Sequence, residues 1–191
     1  MSTEKSKAQD VVTAASIMRP TGADSARAGG VYSVECRDAA GNLKWTDTFN
    51  NLVVNQGLQD MNAKYFSGSG YTAAWFLGLV TGPGSGTSFA AGDTLASHAG
   101  WTENTAYTGN RKAVTFGTAT TADPSVITNS AAPSSFTMNA NAQTIAGAFL
   151  CSVATGTSGI LFSAGDFTGG DKIVDSGDTL SVTYTFSLDA A

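Results

Sequence analysis

From Leu180 to Leu188 apolar and hydroxyl residues alternate without a break: Leu180, Val182, Tyr184, Phe186 and Leu188 against Ser181, Thr183, Thr185 and Ser187. A period of two held this long is the pattern of a strand with one face buried and the other wet. The apolar members are mostly β-branched or aromatic, so local preference agrees with the pattern. A strand this regular needs a sheet to join, and residues 178–188 read as the strand that closes an antiparallel sandwich. Residues 31–49 carry the same signature twice. Tyr32, Val34 and Cys36 alternate with Ser33, Glu35 and Arg37, the turn formers of residues 38–42 follow, and Leu43, Trp45, Asp47 and Phe49 lead back. This is a hairpin. Asp47 interrupts its apolar face, which places the second strand near a sheet edge.

The pattern then changes period. After a short strand at residues 52–54, Asn55 is placed to cap a helix running to about Phe66. Leu58, Met61 and Tyr65 form its apolar face, and Gly57 in the first turn costs about 1 kcal/mol relative to alanine. Residues 71–80, with Trp75, Phe76, Leu77, Leu79 and Val80, are apolar on both faces, so they predict a central strand or one covered by the helix. In residues 91–103 Asp93 is expected to cap a single helical turn through His98, ended by Gly100, with Trp101 and Tyr107 dropping into the core. Further strands are predicted at 111–118, 125–129, 135–138, 144–153 and 160–163, separated by turn clusters. The tetrapeptide Gly-Asp-Thr-Leu at 92–95 and 177–180 reflects shared turn chemistry, since its surroundings do not match.

Many short strands with regular turns indicate a mainly β protein, an antiparallel β-sandwich of jelly-roll-like form with one short helix. Residues 31–191 form this domain. Residues 1–30 are poor in large apolar side chains and read as an extended N-terminal arm. Its sizeable anchors are Val11, Val12, Ile17 and Met18. With Arg19 and Arg27 reaching carboxylates, they are the candidate partner contacts.

Composition narrows the function. Charged residues are 13% of the chain, about half the usual quarter. A polar, weakly charged surface suits a protein packed against copies or partners, because charges buried in an interface must be paired. The net charge of −5 is uneven. Residues 1–30 hold four basic and three acidic side chains, and the rest holds six basic and twelve acidic ones. An acidic body argues against a nucleic-acid groove. Residues 1–10 are polar with no apolar core behind them, so no secretory leader is expected, and no apolar run reaches a membrane span.

Candidate chemistry is thin. His98 is the one histidine, and with Asp93 and Glu103 nearby it reads as structural. Cys36 and Cys151 read as thiols buried in strands, without the partners of a disulfide framework or a zinc site. Asp166, Asp171, Asp175 and Asp178 crowd the last turns but match no calcium loop. The glycine-rich residues 81–88 lack the Gly-Lys-Ser/Thr ending of a phosphate loop. Paired carboxylates of a glycosidase are not favoured on so small a scaffold. The expectation is a non-enzyme without cofactor or metal.

Several segments taken together carry a family resemblance. They are the hairpin from Tyr32 to Trp45, Asn-Leu-Val-Val-Asn-Gln-Gly-Leu at 51–58, Trp-Phe-Leu-Gly-Leu at 75–79, Gly-Asp-Thr-Leu-Ala-Ser-His-Ala-Gly-Trp-Thr-Glu at 92–103, Ala-Gly-Ala-Phe-Leu at 146–150 and Gly-Asp-Thr-Leu at 177–180. In this order they resemble a family of tailed-bacteriophage and prophage virion proteins, with 92–103 the most specific stretch. The resemblance spans residues 31–188 and leaves the arm outside. It implies a small β-rich structural protein of the virion, a capsid decoration (cement) protein, made in the host bacterial cytoplasm and placed on the capsid surface. Its implied partners are the major capsid protein and copies of itself in a homo-oligomer, a trimer being one candidate. It brings no catalytic residue. The alternative it leaves is a tail or fibre component, or a host-surface binding module, working through the loops at 81–92 and 154–159.

Overall fold

A computed structural model describes residues 26–71, 74–81 and 87–190. Its elements are Ala26–Arg37 (β1), Leu43–Asn50 (β2), Leu52–Val53 (β3), the helix Asn55–Tyr65 (α1), Phe76–Thr81 (β4), Thr102–Asn104 (β5) and Lys112–Ala113 (β6). There follow Ser125–Thr128 (β7), Ser134–Thr137 (β8), Gln143–Ile145 (β9), Gly147–Cys151 (β10), Leu161–Asp166 (β11), Lys172–Val174 (β12) and Thr179–Ala190 (β13). The protein is mainly β, with antiparallel sheets and one helix among the described residues. One sheet runs β2-β1-β13-β7, with β8 also on β13; the other runs β3-β11-β10-β4-β5, with β6 also on β4. A small β12-β9 ribbon completes the set.

The alternation in the last strand holds: Leu180, Val182 and Tyr184 are buried. Far from lying at a margin, β13 is interior. It pairs along its whole length with β1, from Thr179 opposite Arg37 to Ala190 opposite Ala26. On its other side β7 covers residues 185–188 and β8 covers 179–182. The two are one strand interrupted by residues 129–133, and Asn129 closes the gap. Its Oδ1 accepts the Tyr184 N–H at 2.7 Å, its Nδ2 donates to the Val182 carbonyl at 3.2 Å, and its own N–H donates to the Tyr184 carbonyl at 3.3 Å. A side chain thus replaces a rung of the ladder that the backbone leaves open.

Both margins of this sheet are covered over part of their length. Beyond β7 and β8 the segment 106–120, irregular apart from β6, crosses, and Gly117, Thr120 and Thr108 donate N–H bonds to the carbonyls of Thr128, Val126 and Thr137. Beyond β2, the edge strand expected from Asp47, residues 167–169 fold over. The Asp47 carboxylate accepts the N–H groups of Thr168 and Gly169, and the Thr168 hydroxyl donates to the Thr48 carbonyl.

Tyr32, Phe49 and Tyr184 meet between the sheets, with ring centroids 5.2 and 4.7 Å from Tyr32. The two buried tyrosine hydroxyls are satisfied across the interior, Tyr32 with Ser163 Oγ at 2.8 Å and Tyr184 by the Asn51 amide at 2.9 Å. Cys36 and Cys151 are free thiols buried in β1 and β10. Trp101 and Tyr107 are buried as expected.

Several local expectations are corrected. Val54, not Asn55, is the N-cap of α1, without a side-chain cap bond. The helix buries Gly57 and Asp60, while Leu58 and Tyr65 are 39% and 84% exposed. The reason is contact distance: a Cβ at Gly57 would stand 2.5 Å from the Phe162 carbonyl oxygen, so glycine alone lets the helix lie on β11. Residues 93–98 form no helical turn. Thr94 and Ser97 bridge each other, and the buried Asp93 carboxylate accepts the Ala90 N–H at 3.0 Å and the Trp101 indole N–H at 3.1 Å. The strand expected over 111–118 shrinks to β6, that over 71–80 starts at Phe76, and that over 144–153 breaks at Ala146 into β9 and β10. The first strand begins at Ala26, so residues 26–30 of the expected arm pair with 186–190.

Candidate functional site

The described surface has a large apolar concavity between the two sheets' cover and the helix. It opens where β13 outruns its cover: Tyr184 is buried, Phe186 half-buried, and Leu188 44% exposed. Their inward faces, with Ile127 of β7 and Phe116, make one wall, and Met61, Lys64 and Tyr65 of α1 make the other. Trp75, Leu150 and Phe162 form much of the floor of a groove of about 670 Å³. At its mouth Tyr65 and Tyr71 are 84% and 83% exposed, and Phe66, edge-on to Tyr65 at 4.9 Å, is 79% exposed.

Three large aromatic rings held in water beside an apolar groove make this the candidate interaction surface. The groove has little chemistry to offer. Its charged side chains, Asp60 and Lys64, pair with each other at 3.5 Å. The Tyr184 hydroxyl is held protonated, because burial raises its pKa more than the bonds with Ser163 and Asn51 lower it. Such a lining can bind by burying apolar surface.

Elsewhere the singled-out residues have structural partners. The His98 ring stacks on Trp101 at 3.8 Å and its Nδ1 lies 2.9 Å from the Trp101 carbonyl oxygen. Glu103 takes a bidentate pair from Arg111 at 2.8 and 2.7 Å. The Arg111 Nη1 also ties down the 153–156 loop through the carbonyls of Val153 and Gly156. Asp178 is buried against Lys44 at 2.6 Å, while Asp166, Asp171 and Asp175 are exposed. Among the described residues no group of three or more His, Cys, Asp or Glu side chains is placed to hold a metal. No described helix is long and apolar enough to cross a membrane. Burial pushes the Cys36 thiol up to about 11 and raises Cys151, so neither is a thiolate at neutral pH.

Of the partner contacts expected from sequence, Val11, Val12, Ile17, Met18 and Arg19 lie outside the described residues. Arg27 is exposed on β1 opposite Asp189. Within the alternative's loops, residues 82–86 lie outside the description as well. The groove was not read from the sequence. Its signal was present in Tyr65, Phe66 and Tyr71, aromatics bracketing a Gly-Ser cluster, but a helix face that looks inward in the pattern hides an exposed one. No family model, curated protein or solved structure matches this chain.

Proposed function

We propose that this protein is a structural component of a tailed-phage virion, a capsid decoration protein that binds the outer face of the shell and clamps neighbouring subunits. It acts as a homo-oligomer, and its partners are the major capsid protein and copies of itself. The observation that carries the reading is the exposed aromatic trio of Tyr65, Phe66 and Tyr71 beside an apolar groove, on a body with few charges. Buried area of this kind stabilises whatever it spans, because a ligand that binds only the assembled state raises the free energy needed to take it apart. The arm supplies a second contact through Val11, Val12, Ile17, Met18, Arg19 and Arg27.

The test is co-sedimentation with emptied phage shells. The full chain is expected to pellet with shells in many copies per particle and to raise their disassembly temperature. Changing Tyr65, Phe66 and Tyr71 together to serine should weaken this at least tenfold. Deletion is best placed at residues 1–25, since Ala26 already belongs to β1. Full occupancy by that truncation removes the arm from the account. Six or twelve copies per particle would favour a tail position, and no binding to shell or tail would end the proposal.

A further inference from the structure

Phe66 stands apart within the aromatic cluster. Tyr65 and Tyr71 line the groove, while Phe66, the C-cap residue of α1, does not, and its ring leans edge-on against Tyr65 at 4.9 Å. With 79% of its surface in water it forms an apolar knob. Beside the knob lies an apolar hollow of about 670 Å³, roomier than a phenyl ring needs. A face that carries both is complementary to itself. Turned about a two-fold axis, each copy sets its knob into the hollow of the other.

We infer that the occupant of the groove is a second copy of this chain, joined across a two-fold axis, with Phe66 of each copy seated against Leu188, Phe186 and Trp75 of the other. The inference rests on the reading that copies associate, and it names the face and the contact. Area supports it. An aromatic side chain buries about 150–250 Å², and Tyr65, Phe66 and Tyr71 are 84%, 79% and 83% exposed. Together with Leu188 and the groove walls they offer roughly 600 Å² per copy, the lower end of what each partner buries in a stable contact. Charge supports it as well. The charged side chains lining the groove, Asp60 and Lys64, pair with each other at 3.5 Å. On a chain of net charge −5, this face therefore meets its own copy without setting like charges together.

Sedimentation equilibrium of the full chain, without shells, tests it. A dimer with a micromolar dissociation constant is expected, and Phe66→Ser alone should raise that constant at least tenfold with an unchanged circular dichroism spectrum. Disulfide trapping locates the contact. Full chains carrying Ser67→Cys, beside the knob, mixed with full chains carrying Leu188→Cys, in the groove, should form the mixed dimer about tenfold faster than a mixture of Ser67→Cys and Leu43→Cys chains. Leu43 is an exposed control: it lies opposite Arg37, itself opposite Thr179, nine residues or about 30 Å along β13 from Leu188. The native thiols are buried and do not compete. A monomer at 100-fold the expected constant would overturn the inference, as would a dimer indifferent to Phe66→Ser or a trapping rate no higher than the control. A closed trimer carrying the Ser67–Leu188 link would make the contact head-to-tail and overturn the two-fold arrangement. A dimer that ignores shells would end the decoration role and keep this contact, whereas a shell-binding monomer would do the reverse.

Discussion

At Gly57 the helix and the second sheet come together backbone to backbone, with room for a hydrogen and nothing larger. In an isolated helix Gly57→Ala would be worth about 1 kcal/mol of gain. Here it should cost about 1–3 kcal/mol, because the Phe162 strand must move to admit the methyl group, and urea denaturation will read the sign directly. Asp93 is a second residue whose value lies in what it completes. Asp93→Ala leaves the buried Trp101 indole N–H without an acceptor, an expected loss of about 1–3 kcal/mol visible as a lower urea midpoint. Two titrations act together in alkali. The folded Cys36 thiol stays protonated between its ordinary 9.0 and about 11, raised mainly by burial, while the unfolded thiol ionises across that window. Stability therefore falls as pH climbs through it. The hydrogen bond to Asp178 raises the pKa of Lys44, so that pair contributes fully below the ordinary 10.5 and fades as pH passes the raised value. The urea midpoint should drop between pH 9 and 11, and Cys36→Ala should flatten the first part of that drop. A midpoint unchanged across this range would contradict the Cys36 assignment.

Among the elements, the join between β7 and β8 is the most exposed to a single change. Asn129→Ala strips partners from the buried backbone at Tyr184 and Val182 at once. It should cost about 1–3 kcal/mol and speed hydrogen exchange at the Tyr184 amide, while amides facing β1 keep their protection. The long strands were legible because period two survives when one face is wet: the hairpin and the last strand both follow it. The short pieces were not. β5, β6 and β12 are defined by neighbours rather than by their own two or three residues, and Ala146 marks a break that no local preference announces. The helix was placed to within a residue or two, but its buried face was misread, since a glycine pressed on a carbonyl leaves no apolar stripe. The candidate site was hidden for a related reason. Leu180 and Leu188 look alike in the pattern, and only the reach of the opposite sheet makes one core and the other surface.

For the whole molecule, the proposed association of copies can be tested at the aromatic mouth of the groove. If Tyr65, Phe66 and Tyr71 lie between subunits, changing them to serine should lower the sedimentation coefficient of the free protein while leaving its thermal midpoint within a few degrees, because these rings contribute little to the core. The guarded margins of the first sheet decide what kind of contact remains. On one side a broken strand is roofed by a crossing segment, and on the other a loop is pinned over the outermost strand by an aspartate. Strand-to-strand fusion needs a long bare row of backbone groups, and the crossing segment and the pinned loop each interrupt that row on their own side. If copies do crowd together on a surface, they would touch through side chains and could still come apart as individuals, where an unguarded sheet would zip into fibres.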